Sequence, residues 1–157
     1  MARYSFFPKH VLVASVMCLL TACASGPPKP AVIQTIVTVA SDVNPDTRGR
    51  ASPIVLRLFE LKNLGAFQSA DFFSLLERDK EALGGELVAR EEFTLAPGEK
   101  KHFERALQPD TRYVAVVAAF RDLEKSSWRA SIPVRLSQSM PVSISLRSRD
   151  VTIRAEK

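Results

Sequence analysis

The residue with the clearest chemistry in this chain is Cys23, whose thiol stands just after a short apolar run. That run, Val11–Leu20, follows a segment that carries Arg3 and Lys9 and no acidic side chain. A basic start, a short apolar segment and small residues before a cleavage point are typical of an export signal. The run is too short to span a bilayer, which needs roughly 20 apolar residues. The sequence therefore predicts that residues 1–22 are a signal peptide that is removed.

The tetrapeptide Leu20-Thr21-Ala22-Cys23 resembles the bacterial lipobox. In that motif the cysteine sulfur receives a diacylglyceryl group, the signal is cleaved before the cysteine, and the new amino group is acylated. We therefore predict that Cys23 carries a covalent lipid and begins the mature protein, with no other cofactor. Ordinary secretory cleavage after Ala22 is the alternative, and the position of the cysteine favours the lipobox. Several acyl chains, at ~0.8 kcal/mol per buried CH₂, would anchor the protein firmly to a membrane.

Residues 23–30 include three prolines, Pro27, Pro28 and Pro30. Proline prevents helix formation and favours an extended, solvated segment. This stretch therefore predicts a tether of roughly 20 Å between the lipid and a folded domain. Residue 24 is not an aspartate, which in enterobacterial lipoproteins retains the product at the inner membrane. The sequence thus favours the periplasmic face of the outer membrane.

Composition limits what the remaining domain, residues 31–157, can do. It is long enough to bury one hydrophobic core. Loss of Arg3 and Lys9 with the signal lowers the formal net charge of +5 by two. That charge is too small to predict nucleic acid as a partner, and no basic cluster is interleaved with aromatic residues. Because Cys18 is removed and Cys23 is acylated, no disulfide is expected in the domain.

Residues that could support catalysis or bind a metal are scarce. His102 is the only histidine after the signal, and one histidine without a free cysteine cannot build an ordinary zinc site. The glycine-rich motifs that bind phosphate groups, the Walker loop and the G-x-G-x-x-G turn, do not occur. The G-x-S-x-G nucleophile motif is also absent from the sequence. Glu91 and Glu92 are adjacent on a predicted strand and would point to opposite faces. We therefore predict no catalytic residue, no metal site and no enzymatic activity.

One aromatic segment has two interpretations. Phe120-Arg121-Asp122 near Trp128 could form a corner that grips a ligand. Aromatic side chains serve packing more often than binding. The sequence therefore favours a core Trp128 with a polar turn at Arg121 and Asp122.

Alternation of apolar and polar residues dominates the domain and predicts strands. The turn signal Ala96-Pro97-Gly98-Glu99 predicts a hairpin between the third and fourth strands, and Ser148–Asp150 predicts the turn of a final hairpin. Tyr113–Phe120 is apolar on both faces, as in a central strand. The eight predicted strands are Ala31–Ala40, Ile54–Lys62, Leu87–Leu95, Lys101–Leu107, Tyr113–Phe120, Trp128–Arg135, Val142–Leu146 and Val151–Glu156.

One segment departs from this alternation. Ser69 is placed to cap a helix, and apolar residues at helical spacing followed by Gly84-Gly85 predict a helix over Ala70–Leu83. A helical insertion of about residues 66–84 would then lie between the second and third strands. Short strands with regular turn signals and one such insertion predict an all-β, eight-stranded β-sandwich.

The segment between the first two predicted strands, Ser41–Ser52, is unusually long. Hairpin links usually take roughly 2–5 residues, and longer loops are often functional. This one contains the turn-forming Asn44-Pro45-Asp46, then Arg48 and Arg50 around a glycine. A crossover that merely connects two strands is an equally weighted alternative.

Several of these segments together resemble a known family. They are the lipobox, Ala40–Asp46, Gly49–Lys62, Phe67, Ala70-Asp71-Phe72, Leu95–Gly98, Ala118–Asp122 and Trp128-Arg129, in this order. The combination is similar to the TssJ family, the outer-membrane lipoproteins of the type VI secretion system. The resemblance implies a transthyretin-like β-sandwich with a small helical elaboration and no enzymatic activity. It also implies a structural part of the secretion membrane complex that binds the periplasmic region of the inner-membrane protein TssM.

In that family the loop between the first two strands makes the contact with TssM. Carried over to this chain, the partner-binding residues are Ser41, Asp42, Val43, Asn44, Pro45, Asp46, Thr47, Arg48, Gly49 and Arg50. Another lipid-anchored periplasmic module, such as a pilotin or a ligand-binding lipoprotein, would fit the anchor and the sandwich equally well. A transthyretin-like hydrolase would need several histidines, and the domain has only His102.

Overall fold

The computed structural model describes residues 30–135 and 138–156. The predictions for the signal peptide and Cys23, and for the tether up to residue 29, lie outside the described residues. Strands within the described ranges are β1 (Val32–Val39), β2 (Ile54–Leu61), β3 (Leu87–Leu95), β4 (Lys100–Ala106), β5 (Tyr113–Ala118), β6 (Arg129–Pro133), β7 (Ser139–Leu146) and β8 (Val151–Ala155).

In the described part of the chain these strands form two four-stranded sheets, ordered β4-β1-β7-β8 and β3-β2-β5-β6. β1 pairs antiparallel with β4 and parallel with β7, whereas β2 pairs antiparallel with both β3 and β5. Strands β7 and β8 form the predicted final hairpin, in which Arg147 N donates to Asp150 O at 2.8 Å. The predicted eight-stranded β-sandwich is confirmed.

The predicted hairpin of β3 and β4 is wrong, because the two strands belong to different sheets. The turn at Ala96–Glu99 reverses the chain, as its residues indicate, but it carries the chain from one sheet to the other. Its backbone bonds to the end of β1: Val39 N donates to Glu99 O at 2.9 Å, and Gly98 N donates to Ala40 O at 3.3 Å. A turn signal specifies a change of direction, and long-range pairing decides the neighbour.

The main core lies between the two sheets and is formed by inward-facing side chains of their strands. On β2 this core includes Ile54, Leu56 and Leu58, three apolar residues at alternate positions. Ile33 of β1 and Ile144 of β7 pack against them from the other sheet. Burial of each such side chain contributes about 1.5–3 kcal/mol to folding.

A second apolar cluster covers the outer face of the β2 and β5 pair. Phe59, Ala115 and Val117 point away from the main core and pack against Phe67 and Leu75 of the helical insertion. This is why β5 is apolar on both faces, and its prediction as a central strand is confirmed. The insertion therefore covers the outer face of one sheet with packed apolar side chains.

Among the described residues the insertion consists of three short helices, α1 (Gly65–Ser69), α2 (Phe72–Glu77) and α3 (Asp79–Leu83), followed by a 3-10 turn at Gly84–Glu86. The predicted continuous helix over residues 70–83 with a Ser69 cap is therefore wrong. Asp71 caps α2, since its carboxylate accepts from Ser74 N at 2.9 Å. The Ser69 hydroxyl instead donates to Gly65 O at 3.0 Å, at the end of α1.

The helix is interrupted between α2 and α3 because a side chain from the sheet donates hydrogen bonds to carbonyl oxygens at the end of α2. Arg57 on β2 donates to the Leu75 and Leu76 carbonyl oxygens, the first at 3.3 Å. The same guanidinium bonds to the buried Asp79, which also pairs with Arg90. A tertiary contact thus ends the helix where sequence spacing alone would continue it.

Trp128 is half-buried and does not lie fully in the core, which corrects the prediction. It touches both apolar clusters, and its ring meets Phe72 edge-on with 5.3 Å between centroids. The Arg129 guanidinium covers the indole at 4.7 Å from its centroid and donates to Phe67 O at 3.0 Å. The Arg129 guanidinium, which bonds to the insertion, therefore covers one face of the indole in place of an apolar side chain.

The start of β1 and the β1–β2 loop lie at opposite ends of the sandwich. β1 starts two residues after Pro30 and ends at Val39, directly before the long β1–β2 loop. At ~3.3 Å per residue a strand of this length spans roughly 25 Å. The segment that would lead to the lipid therefore enters at the end of the domain opposite the β1–β2 loop.

Candidate functional site

The β1–β2 loop has a base that belongs to the core. Val43 is completely buried among the side chains between the two sheets. Its backbone closes the loop: Val43 N donates to Ala40 O at 3.2 Å, and Ser52 N donates to Val43 O at 3.1 Å. The loop therefore leaves the sandwich and returns to it through one narrow, hydrogen-bonded neck.

Asn44 connects this neck to two other parts of the chain. Its side-chain Nδ2 donates to Pro53 O at 2.8 Å, and its Oδ1 accepts from Arg121 N at 2.8 Å. Its backbone N donates to Ser148 O at 2.9 Å. The residue has a φ of 50°, a left-handed conformation that asparagine tolerates better than most side chains. Asn44 thus ties the β1–β2 loop to the β5–β6 connection and to the β7–β8 turn.

The tip of the loop is organised around the Asp46 carboxylate. It accepts from Arg48 N at 2.8 Å, from Arg50 N at 3.0 Å and from Arg50 Nε at 2.8 Å. Gly49, with a φ of 78°, allows the tight return in which Gly49 N donates to Asp46 O at 2.9 Å. The amide and guanidinium of Arg50 hold the pKa of the Asp46 carboxyl below its ordinary 3.8. The tip is therefore closed by a charged acceptor at neutral pH.

The ten residues predicted from the sequence consequently divide into a base and a tip. Val43 and Asn44 are buried and support the loop from below. Pro45 and Asp46 are half-buried. The exposed members, which a second protein could touch, are Ser41, Asp42, Thr47, Arg48, Gly49 and Arg50.

A polar groove of about 620 Å³ runs beside the tip. One wall is the loop itself, and the other comes from the β5–β6 connection and the β7–β8 turn. Asp122 in that second wall pairs with Lys125 at 3.7 Å and with Arg149 at 3.4 Å. The residues that line the groove are Pro45, Asp46, Thr47, Gly49, Arg121, Asp122, Lys125 and Arg149.

Sequence reasoning found only one wall of this groove. It placed Arg121 and Asp122 in a polar turn and connected neither to the loop. The link is the hydrogen bond from Arg121 N to Asn44, two residues 77 positions apart. No local pattern reports such a contact, since both residues are ordinary in turns.

The structure also locates the residues considered for catalysis. Glu92 accepts from Arg57 Nε at 3.0 Å, whereas Glu91 pairs with Arg105, so the two carboxylates serve different ion pairs. His102 is exposed on β4. Within residues 30–135 and 138–156, no group of three histidine, cysteine or acidic side chains is arranged to hold a metal ion. Over the same ranges, no helix has the length and apolarity to cross a bilayer.

Comparison with known proteins agrees with the fold. A family described as "Type VI secretion lipoprotein, VasD, EvfM, TssJ, VC_A0113" matches residues 31–149. A search of curated protein sequences found no match. The chain is similar to the crystal structure of the type VI lipoprotein TssJ1 from Pseudomonas aeruginosa, with 38% identity and a TM-score of 0.79. That alignment covers 82% of this chain and 98% of TssJ1.

Two more distant structures share the fold. A chain of a structure described as "Type VI membrane complex" has 22% identity and a TM-score of 0.68, over 83% of this chain and 100% of that one. A chain of a structure described as "T6SS protein TssM C-terminal domain (869-1107) from EAEC" has 24% identity and a TM-score of 0.65. This second alignment covers 78% of this chain and 99% of that one. Because the family match spans nearly the whole sandwich, this chain belongs to the type VI secretion lipoprotein family, TssJ.

Proposed function

We propose that this protein is the outer-membrane lipoprotein of a type VI secretion membrane complex. In this proposal Cys23 carries the lipid on the periplasmic face, and the exposed tip of the β1–β2 loop binds the periplasmic region of TssM. Family membership favours this role over that of a pilotin or a ligand-binding lipoprotein. Chains with this fold also occur in structures described as a type VI membrane complex and as the TssM C-terminal domain.

The preformed loop is the observation that carries the proposal. Asn44 fixes the base and Asp46 closes the tip through three hydrogen bonds, and this internal bonding favours one loop shape in the absence of a partner. A surface that is ordered before binding loses less conformational entropy when a partner docks.

The position of the loop supports the same role. β1, the strand that follows the proposed tether, starts at the opposite end of the sandwich, roughly 25 Å from the loop along its length. A domain anchored through Cys23 would therefore present the tip away from the lipid headgroups. This is the direction in which a protein that crosses the periplasm from the inner membrane would approach.

Shortening the loop tests the proposed interface. We expect replacement of residues 45–50 by two glycines to abolish binding of the purified TssM periplasmic region, because the tip is removed while Asn44 keeps the base in place. The matched control replaces Pro109 and Asp110 with glycine in the exposed β4–β5 loop at the other end, and it should bind normally. Calorimetric titration measures the affinity, and thermal unfolding checks the fold. Unchanged affinity in a folded, loop-shortened protein would place the interface elsewhere.

Cys23→Ala tests the proposed anchor. With no thiol at that position the lipid cannot be attached, so the protein should remain unprocessed or leave the outer-membrane fraction, and secretion should fail. Ser25→Ala, in the same segment, is the matched control and should behave as wild type. Membrane fractionation and metabolic labelling with palmitate measure both effects. Recovery of Cys23→Ala protein in the outer membrane with intact secretion would refute the anchor.

A further inference from the structure

The groove beside the β1–β2 loop has more cationic groups than its own carboxylates can satisfy. Arg121, Lys125 and Arg149 face it, against the single acceptor Asp122 and the loop carboxylate Asp46. Asp46 is already occupied, since its two oxygens accept two backbone amides and the Arg50 guanidinium. The oxygens of Asp46 therefore bond within the loop, and Asp46 acts on Arg121 across the groove only through its charge, without a hydrogen bond.

The Asp122 carboxylate lies between Lys125 and Arg149, at distances too long for a strong hydrogen bond to either cation. Its Oδ2 lies 3.7 Å from Lys125 Nζ and 3.4 Å from Arg149 Nε, beyond the usual range of a charge-assisted hydrogen bond, about 2.7–2.9 Å. Within the described residues, Arg121 makes no ion pair, and its guanidinium has one long bond of 3.4 Å to the Ser52 hydroxyl. An arginine side chain offers five donors, so among the described residues most donors of the Arg121 guanidinium face solvent instead of a protein acceptor.

The wall is nevertheless held in place. Arg121 is tied through its backbone amide to Asn44. Arg149 lies in a turn whose backbone bonds to Ser127, with Ser127 N donating to Arg149 O at 2.9 Å. Cationic side chains carried on a fixed backbone beside an open groove form a positive surface that favours an anionic partner. The lining residues belong to three connections that meet only in the folded protein.

We propose that this groove is part of the TssM interface and that Arg121, with Lys125 and Arg149, binds an acidic side chain of the TssM segment that docks on the loop tip. The inference rests on the proposed function and extends it, because the interface then includes the β5–β6 connection and the β7–β8 turn. The planar guanidinium group of arginine can donate two parallel hydrogen bonds to one carboxylate. The partner segment is therefore acidic where it passes Arg121.

The test measures affinity for the purified TssM periplasmic region with the acylated, full mature chain in detergent. Arg121→Gln removes the charge and keeps the backbone amide that bonds to Asn44. We expect it to weaken binding about tenfold or more, the effect of losing a hydrogen bond between charged groups. Arg121→Glu should weaken binding further. Lys125→Gln, at an exposed position, is a second variant with a smaller loss expected.

Arg154→Gln is the matched control, because Arg154 is exposed on β8 and does not line the groove. It should change the affinity by less than about twofold, as is usual for an isolated surface charge. Titrations at several salt concentrations add a second readout. The affinity of wild type should fall with salt more steeply than that of Arg121→Gln, since the variant has lost a charged contact.

The outcomes separate this inference from the proposed function. If the loop-shortened protein loses binding while Arg121→Gln, Arg121→Glu and Lys125→Gln bind like the Arg154→Gln control, the acidic contact is refuted and the loop interface stands. If the wild-type protein does not bind the TssM region, both fall. Loss of affinity in the Arg121 variants with unchanged thermal unfolding supports the groove.

Discussion

Asn44→Ala is the change whose effect on the site can be worked out most directly. It removes the bonds from Nδ2 to Pro53 O and from Arg121 N to Oδ1, which are worth about 0.5–1.5 kcal/mol each. It also places alanine at a φ of 50°, a left-handed conformation that costs about 1 kcal/mol. The free energy of unfolding should therefore fall by about 2–4 kcal/mol. For a domain of this size that is a drop of roughly 10 °C in melting temperature.

Two further variants separate the causes. Asn44→Gly loses the same hydrogen bonds but adopts the positive φ readily, so it should be up to about 1 kcal/mol more stable than Asn44→Ala. Asn63→Ala, at an exposed asparagine between β2 and α1, is the matched control and should change stability by less than about 0.5 kcal/mol. Urea denaturation followed by tryptophan fluorescence measures all three. An Asn44→Ala protein within about 0.5 kcal/mol of wild type would refute the reasoning.

Two other predictions follow from charged groups. Arg105→Ala should lower the free energy of unfolding by about 3–5 kcal/mol, because Glu60 is completely buried and accepts from Arg105 Nε at 2.7 Å; urea denaturation measures it, and a loss below about 1 kcal/mol would contradict it. The Asp46 carboxyl should titrate below pH 3.8, since its pKa is lowered by the amide and guanidinium of Arg50. Its contribution to loop order is thus complete above that pH and is lost as the pH falls through the lowered pKa. Carboxyl-carbon NMR measures the midpoint, which Arg50→Ala should raise towards 3.8, and a wild-type midpoint at 3.8 would contradict the explanation.

The strands and the fold class follow from the sequence because alternation has a local cause. A strand with one face on a core must alternate, so the strands could be predicted, and the structure shows that Leu56 and Leu58 of β2 face the main core. The apolar character of β5 on both faces likewise predicted a central strand. The length of the β1–β2 loop was visible for a similar reason, since turn residues interrupt the alternation.

Other features depended on contacts between residues far apart in the chain. The residues of β3 and β4 with the turn between them are compatible with a hairpin, and only the competition for β1 and β2 as partners placed them in separate sheets. The predicted single helix was broken because Arg57, on a strand, bonds to the carbonyls of Leu75 and Leu76. Helical spacing carries no information about such a donor.

The candidate site divides in the same way. Its first wall could be predicted because the residues Asn44 to Arg50 are continuous and rich in turn-forming and charged side chains. The second wall exists because Asn44 bonds to the backbone of Arg121 and of Ser148. A backbone amide or carbonyl is chemically the same at every residue, so the sequence alone cannot indicate which one a buried asparagine will reach, and the tertiary fold decides it.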